Sequence, residues 1–176
     1  MKTGIAIMGL NGAGKTTLGK YMEIHYSIKN LDVEKYYFPD PALGYQKAQS
    51  QAEVEKRLLS DMEACRIFTL SSVKVNFSES IREKICLAVI LRAGKDTRMA
   101  RIRSRSFEKY GHRVLPGGDM YETESAFFEM AEKRTEDMVT KAAADLSCPV
   151  IELSGADDPE KNAGIILDAV RKIQKK

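Results

Sequence analysis

The fold of this chain is decided by the stretch Gly9-Leu10-Asn11-Gly12-Ala13-Gly14-Lys15-Thr16-Thr17. The stretch fits the pattern GxxxxGK[ST], in which x is any residue, with no position missing. A short apolar run, Thr3–Met8, precedes it and is typical of a buried parallel strand, and helical spacing begins at Lys15. Glycines at these positions let the backbone curl so that successive N–H groups converge on an anion. The stretch therefore predicts a polyphosphate-binding loop between a strand and a helix.

Two side chains of this loop carry specific chemistry. We expect Lys15 to reach the β- and γ-phosphates of a nucleotide and Thr16 to ligate Mg²⁺ through its hydroxyl. The positive end of the helix dipole adds to the attraction for the anion. The alternative is an ordinary glycine-rich turn that binds nothing.

Composition places limits on the class of protein. The chain has 176 residues, of which 43% are hydrophobic and 30% charged, so residues 1–176 are expected to form a single globular domain. A net charge of +3 is too small to predict a nucleic-acid partner. The three cysteines are scattered, and no apolar run approaches the ~18 residues of a membrane span. The apolar run near the N-terminus is too short for a signal peptide, so we expect a cytoplasmic protein with no membrane partner.

The remaining chain alternates between strand and helix patterns. Further strands are predicted at Ile28–Asp32, Ile67–Val75, Ile85–Leu91 and Pro149–Leu153. Helices are predicted at Ala42–Arg66, Thr123–Asp145, from an Asp96 N-cap to Phe107, and from Asp157 or Asp158 onward, with a loop at Glu108–Asp119. This alternation predicts an α/β fold with three α/β/α layers around a parallel, roughly five-stranded sheet.

Absent motifs exclude several nucleotide-binding classes. The chain has no NKxD or DxxG motif, which argues against a GTPase. Its loop resembles that of ABC transporter ATPases, but no LSGGQ-type signature with a following acidic strand end is present. Ser71, Ser72 and Arg92 stand where a mechanical ATPase would carry that acid.

In its loop, element order and length, the chain resembles the small P-loop kinases that include shikimate, gluconate and nucleoside monophosphate kinases. The resemblance implies an ATP-dependent phosphotransferase that uses ATP and Mg²⁺, acts on a small metabolite or nucleotide acceptor, and is a monomer or homodimer. It also implies that residues 9–17 bind ATP. The alternatives are a non-catalytic ATP-binding regulatory module and a nucleoside triphosphatase that needs no acceptor.

Two acidic residues follow the predicted second strand. In Leu31-Asp32-Val33-Glu34, strand spacing would point Asp32 and Glu34 the same way, at the sheet edge where open α/β sheets bind ligands. The pair resembles the D-x-D/E of shikimate-type kinases, which implies that Asp32 lies near Mg²⁺ and the acceptor hydroxyl and that Glu34 contacts substrate. The alternative is a solvated acidic turn.

Arginines recur after the predicted fourth strand. Arg98, Arg101 and Arg105 share one helical stripe. The related kinases carry an arginine-rich lid here, which we place at about residues 106–121. By position, Arg101 resembles their adenine-stacking arginine, and Arg105 and Arg113 resemble the catalytic arginines that face the transferred phosphoryl. A solvated basic face is the alternative.

Two further arginines are candidates for binding the acceptor. Arg134 falls on the apolar face of the predicted Thr123–Asp145 helix, where a cation needs a partner. It resembles the substrate-carboxylate arginine of shikimate-type kinases, and Arg57 resembles their second anion-binding arginine. The alternative for both is a structural ion pair.

Other features bear on the identity of the acceptor. Leu70–Lys74 replaces the glycine triplet of shikimate kinases, so shikimate itself is not expected. Four aromatic residues could stack on a base or sugar or could pack in the core: Tyr36, Tyr37, Phe38 and Tyr45.

Overall fold

Strand β1 (Gly4–Met8) lies at the centre of the sheet, and all of its residues are buried. A computed structural model describes residues 4–40 and 47–175. Within them, the sheet is five-stranded and parallel, with the order β2-β3-β1-β4-β5. The other strands are β2 (Lys29–Asp32), β3 (Phe68–Ser72), β4 (Ile85–Arg92) and β5 (Val150–Ser154). The predicted parallel five-stranded sheet is confirmed.

Helices connect these strands and cover both faces of the sheet. Their bounds are α1 (Lys15–Tyr26), α2 (Val33–Tyr37), α3 (Gln51–Ala64), α4 (Glu79–Arg82), α5 (Lys95–Tyr110), α6 (Tyr121–Lys133), α7 (Glu136–Ala144) and α8 (Pro159–Gln174). A 3₁₀ helix at Gly111–Val114 joins α5 to α6. In the part of the chain that the structure describes, none of the helices has both the length and the apolar character needed to cross a bilayer.

The alternation of side chains along β1 divides the core in two. Ala6 and Met8 belong to a cluster with apolar residues of α3 and α7 on one face of the sheet. Ile5 and Ile7 belong to a second cluster with α1 and α8 on the opposite face. Successive residues of a strand point to opposite faces, so β1 has an apolar layer on each side. The three-layer α/β/α fold is therefore confirmed.

A third, smaller cluster joins α5 and α6 away from the sheet. It consists of Met99, Ile102 and Ala131, with Phe127 and Phe128 packed against it. The predicted lid, at about residues 106–121, runs from the end of α5 through the 3₁₀ helix to the start of α6. The predicted Glu108–Asp119 loop is wrong in part, since α5 continues to Tyr110 and a 3₁₀ turn follows. That this segment closes over a ligand remains a proposal.

Three predicted helix boundaries are also wrong. The Ala42–Arg66 helix begins only at Gln51, because the Ser50 hydroxyl accepts the Glu53 N–H at 3.3 Å and caps it there. Residues 42–46 lie outside the described part. Gly94, rather than Asp96, caps α5. The Thr123–Asp145 helix is two helices, α6 and α7, because Arg134 and Thr135 between them have extended backbones.

Candidate active site

The loop between β1 and α1 has the backbone shape that its glycines predict. Gly12 and Gly14 have φ values of 80° and 104°, in the left-handed region that side chains disfavour. A Cβ atom on Gly12 would lie 2.5 Å from the Arg98 carbonyl oxygen. Leu10 and Ala13 are buried and anchor the loop, and the Ala13 N–H donates to the Leu10 carbonyl at 3.1 Å. The loop is thus held in a curled form that only glycine permits at position 12.

Lys15 lies across this loop. Its Nζ donates to the Leu10 carbonyl at 3.0 Å. Burial lowers the pKa of Lys15 to about 8, Glu34 and Asp32 raise it, and Arg105 and Arg134 lower it. The same ammonium group therefore feels both of the predicted acids and two of the predicted arginines.

Thr16 and Asp32 form the next part of the site. The Thr16 hydroxyl donates to Asp32 Oδ2 at 3.0 Å, which joins the start of α1 to the end of β2. Asp32 also caps α2, since its Oδ1 accepts the Glu34 N–H at 3.3 Å. The expected strand spacing of Asp32 and Glu34 is wrong, because the chain turns into α2 at Val33.

These residues fit a nucleotide with Mg²⁺. A curled run of amides at the N-terminus of α1, whose shape a Cβ on Gly12 would disrupt, suits a polyphosphate. The paired oxygens of Thr16 and Asp32 are hard ligands of the type that Mg²⁺ takes beside phosphate oxygens and water. Lys15 and Thr16 come directly after the last glycine of the loop, and both are accessible from the side where a ligand would bind.

A cleft of about 880 Å³ opens above the loop. It brings together most of the predicted site residues: Asn11, Gly12, Gly14, Lys15, Thr16, Thr17, Asp32, Glu34, Arg101, Arg105 and Arg134. Gly9, Leu10 and Ala13 are buried in the loop itself. Arg57 and Arg113 are not among the described residues that line the cleft.

The arginines of α5 differ in their surroundings. Arg98 is buried, and it donates to the Ala93 carbonyl at 3.2 Å and to the Asn11 carbonyl at 3.3 Å. Arg101 donates to the Gly155 carbonyl at 3.0 Å at the rim of the cleft. Arg105 is exposed and lines the cleft. Arg98 thus braces the loop, while Arg101 and Arg105 face the space where a ligand would lie.

Arg134 reaches the phosphate-binding loop from the junction of α6 and α7. Its guanidinium donates to the Asn11 Oδ1 at 2.5 Å. It is half-buried, and burial lowers its pKa while Glu34 raises it. The expectation that Arg134 stands on a helix face is wrong, since the helix ends at Lys133. Its position at the junction nevertheless places it in the cleft.

Two predicted arginines have partners elsewhere. Arg57 is exposed on α3 and stacks over the Tyr36 ring, with its Cζ 5.4 Å from the ring centroid. Arg113 forms an ion pair with Asp119, with Nη2 2.7 Å from Oδ2, and this pair raises the Arg113 pKa.

The sequence revealed only the Leu70–Lys74 part of the far wall of the cleft. This wall consists of the end of β3 and the residues after it, the first residue of α3, and residues of α6 and α7: Gln51, Ser72, Lys74, Asn76, Phe77, Met130 and Met138. β3 lies directly beside β1, so the residues after β3 emerge next to the phosphate-binding loop. Sheet order was the missing signal, because the sequence pattern alone does not give it.

The aromatic residues that follow β2 and are described in the structure have different surroundings. Tyr37 and Phe38 line the cleft, with ring centroids 6.5 Å apart. Tyr36 is buried and its hydroxyl donates to Asp61. Tyr45 lies outside the described residues. Of the three members of this set that the structure describes, Tyr37 and Phe38 are therefore placed to contact a ligand in the cleft.

Comparison with known proteins gives a relative and a fold. No protein-family model matches the chain. "Uncharacterized protein YqaC" of Bacillus subtilis (strain 168) is 30% identical over 176 aligned positions. The match covers 96% of this chain and 97% of that protein. The crystal structure of a gluconokinase from Sinorhizobium meliloti 1021 matches with a TM-score of 0.53 and 14% identity, over 99% of this chain and 93% of that chain. The predicted resemblance to P-loop kinases is confirmed at the level of the fold.

Proposed function

The chain belongs to the family of the Bacillus subtilis protein YqaC, and we propose that it is an ATP-dependent phosphotransferase. It uses Mg²⁺ and acts on a small metabolite or nucleotide. The observation that carries this proposal is the convergence of Lys15, the Thr16–Asp32 pair and Arg134 in one cleft. The cleft continues past the loop, which leaves room for an acceptor beside the phosphates.

Residues 9–17, which include Lys15, hold the polyphosphate. Thr16 and Asp32 hold the metal ion. When bound, ATP supplies the phosphoryl group, and Mg²⁺ neutralises charge on its phosphates. Asp32 accepts the proton of the acceptor hydroxyl or orients that hydroxyl, since it lies at the end of β2 beside the loop. Arg101 contacts the nucleotide at the rim of the cleft.

Arg105 and Arg134 stabilise charge that develops during transfer. Both arginines lower the pKa of Lys15 and both line the cleft, which supports a position for them near the transferred group. An arginine that faces such charge is worth about 10³–10⁵ in rate. Arg57 and Arg113 are assigned no role in this mechanism, because their described partners lie outside the cleft.

The acceptor lies against the far wall of the cleft, near Glu34. That wall carries the apolar Phe77, Met130 and Met138, together with polar residues that follow β3 and begin α3. Such a surface suits an acceptor that has both an apolar or aromatic portion and polar groups, because buried polar groups need partners.

A coupled assay for ADP over a panel of hydroxyl and phosphate acceptors tests the proposal. We expect ADP formation that depends on one acceptor, and Lys15→Ala should reduce it about 100-fold or more. Lys20→Ala, at an exposed position of α1, is the matched control and should retain activity. ATP binding without ADP formation would indicate a regulatory module. ADP formation at the same rate with and without every acceptor would indicate a triphosphatase, and either result would overturn the proposal.

A further inference from the structure

A second, smaller pocket branches from the cleft between α2, α5 and α6. Its volume is about 210 Å³, and we call it the side pocket. It shares five lining residues with the cleft: Thr16, Asp32, Glu34, Arg105 and Phe127. Any group in the side pocket would therefore adjoin the residues that are proposed to carry out the phosphoryl transfer.

The side pocket contains a buried carboxylate that the mechanism does not use. Glu124, on α6, is 3% exposed. Its Oε2 accepts a hydrogen bond of 2.6 Å from the Ser106 hydroxyl of α5. Its Oε1 is buried and has no hydrogen-bond partner among the described residues. Burying an acceptor without a partner is unfavourable, and more than nine in ten buried polar groups in proteins are satisfied.

The cations that line this pocket do not pair with Glu124. Lys35, Arg105 and Lys109 all line it, and all three are exposed. Within the described part of the chain, no hydrogen bond or ion pair joins any of them to Glu124. Two further carboxylates, shared with the cleft, line the pocket as well, so its positive and negative charges balance. Its distinguishing feature is the buried acceptor without a partner, which suits a molecule that brings an O–H or N–H group.

We propose that the side pocket is a subsite for the acceptor, in which Glu124 Oε1 accepts a hydrogen bond from an O–H or N–H of the acceptor. The acceptor is a small molecule that carries this donor in addition to the group that is phosphorylated. This inference rests on the proposed phosphotransfer.

Two variants separate binding from folding. Glu124→Gln keeps an oxygen for Ser106 but places an N–H donor where the structure has an acceptor. The double variant Ser106→Ala/Glu124→Leu removes both hydrogen-bonding partners, which is close to neutral for folding or stabilising. Glu122→Gln, an exposed position on the same helix, is the matched control. If Glu124 only supports the fold, Glu124→Gln should lower the melting temperature, and both Glu124 variants should keep the Kd of the parent.

Calorimetry measures binding of named probes to the full chain: gluconate, shikimate, glycerol 3-phosphate, ribose 5-phosphate and nucleoside monophosphates. For the probe that binds the parent most tightly, we expect the Kd to rise about 10- to 100-fold in both Glu124 variants. The melting temperature should be unchanged or higher, and Glu122→Gln should bind as the parent does.

The subsite would be overturned if both Glu124 variants kept the Kd of the parent, whatever their melting temperature. Binding of no probe to the parent would overturn it as well. The proposed function fails separately. Binding that depends on Glu124 without acceptor-dependent ADP would keep the subsite and refute the phosphotransferase, whereas transfer that is independent of Glu124 would do the reverse.

Discussion

The charge of Lys15 depends on the residues around it. Burial lowers its pKa to about 8, and the nearby carboxylates of Glu34 and Asp32 only partly oppose this effect. A bound polyphosphate would favour the protonated ammonium and raise the pKa again. ATP affinity is therefore linked to the protonation of this side chain.

We predict that ATP affinity falls as pH rises through about 8. A lysine with a pKa of about 8 goes from mostly protonated at pH 7 to about one-tenth protonated at pH 9, so the Kd should rise about tenfold. Calorimetric titration at pH 7, 8 and 9 measures the change. Lys15→Arg, whose charge is constant in this range, is the control and should show little dependence. Equal pH dependence in the two proteins would contradict the assignment.

Asp32 is predicted to act on transfer more than on nucleotide binding. Asp32→Asn removes the group that accepts or orients the acceptor proton, and positioned bases are worth about 10²–10⁴ in rate. We expect kcat to fall at least about 100-fold. The affinity for ATP with Mg²⁺ should fall by a smaller factor, because Asp32 also holds the metal ion; steady-state kinetics and calorimetry measure the two effects. Asp96→Asn, an exposed residue in the first turn of α5, serves as the control. Retention of kcat in Asp32→Asn would rule out this role.

At the scale of elements, the phosphate-binding loop is built against the start of α5. Arg98 donates from its side chain to the Asn11 carbonyl, and its own carbonyl lies where a Cβ on Gly12 would be. The loop and α5 therefore constrain each other, which couples the shape of the phosphate site to the helix that carries Arg101 and Arg105.

A pair of glycine-to-alanine variants tests this coupling. Gly12→Ala combines a left-handed φ with contact against backbone atoms of Arg98, so it should lower stability by more than about 1 kcal/mol and abolish detectable ATP binding. Gly164→Ala lies in α8 with open space around the new methyl group and should raise stability by about 0.5–1 kcal/mol. Urea denaturation and calorimetry give both quantities. Normal ATP binding by Gly12→Ala would show that the loop tolerates another shape.

Sequence patterns predicted those elements whose signals are local. Strand β4 is rich in aliphatic residues and is buried up to Leu91, and it begins at the predicted Ile85. The break between α6 and α7 was missed because neither Gly nor Pro marks Arg134 and Thr135, and helical periodicity continues across them. Helix α2 was missed because it has only five residues, too few to show a period.

At the scale of the whole molecule, some residues of the candidate site could be predicted from the sequence and others could not. The loop at residues 9–17 was predicted because its residues are contiguous and their spacing is specific. Asn76, Phe77 and Met130 were not, because they meet only through sheet order and the packing of α6. Glu124 gave no signal either, since its burial depends on α5 packing against α6.

The most direct test of phosphotransfer is to follow the γ-phosphoryl group itself. The full chain is incubated with γ-labelled ATP, Mg²⁺ and a pool of small metabolites and nucleotides, and the labelled products are separated. We predict a labelled organic product that the parent forms and Lys15→Ala does not. Label that appears only in inorganic phosphate, or that stays in ATP although ATP binds, would contradict the account.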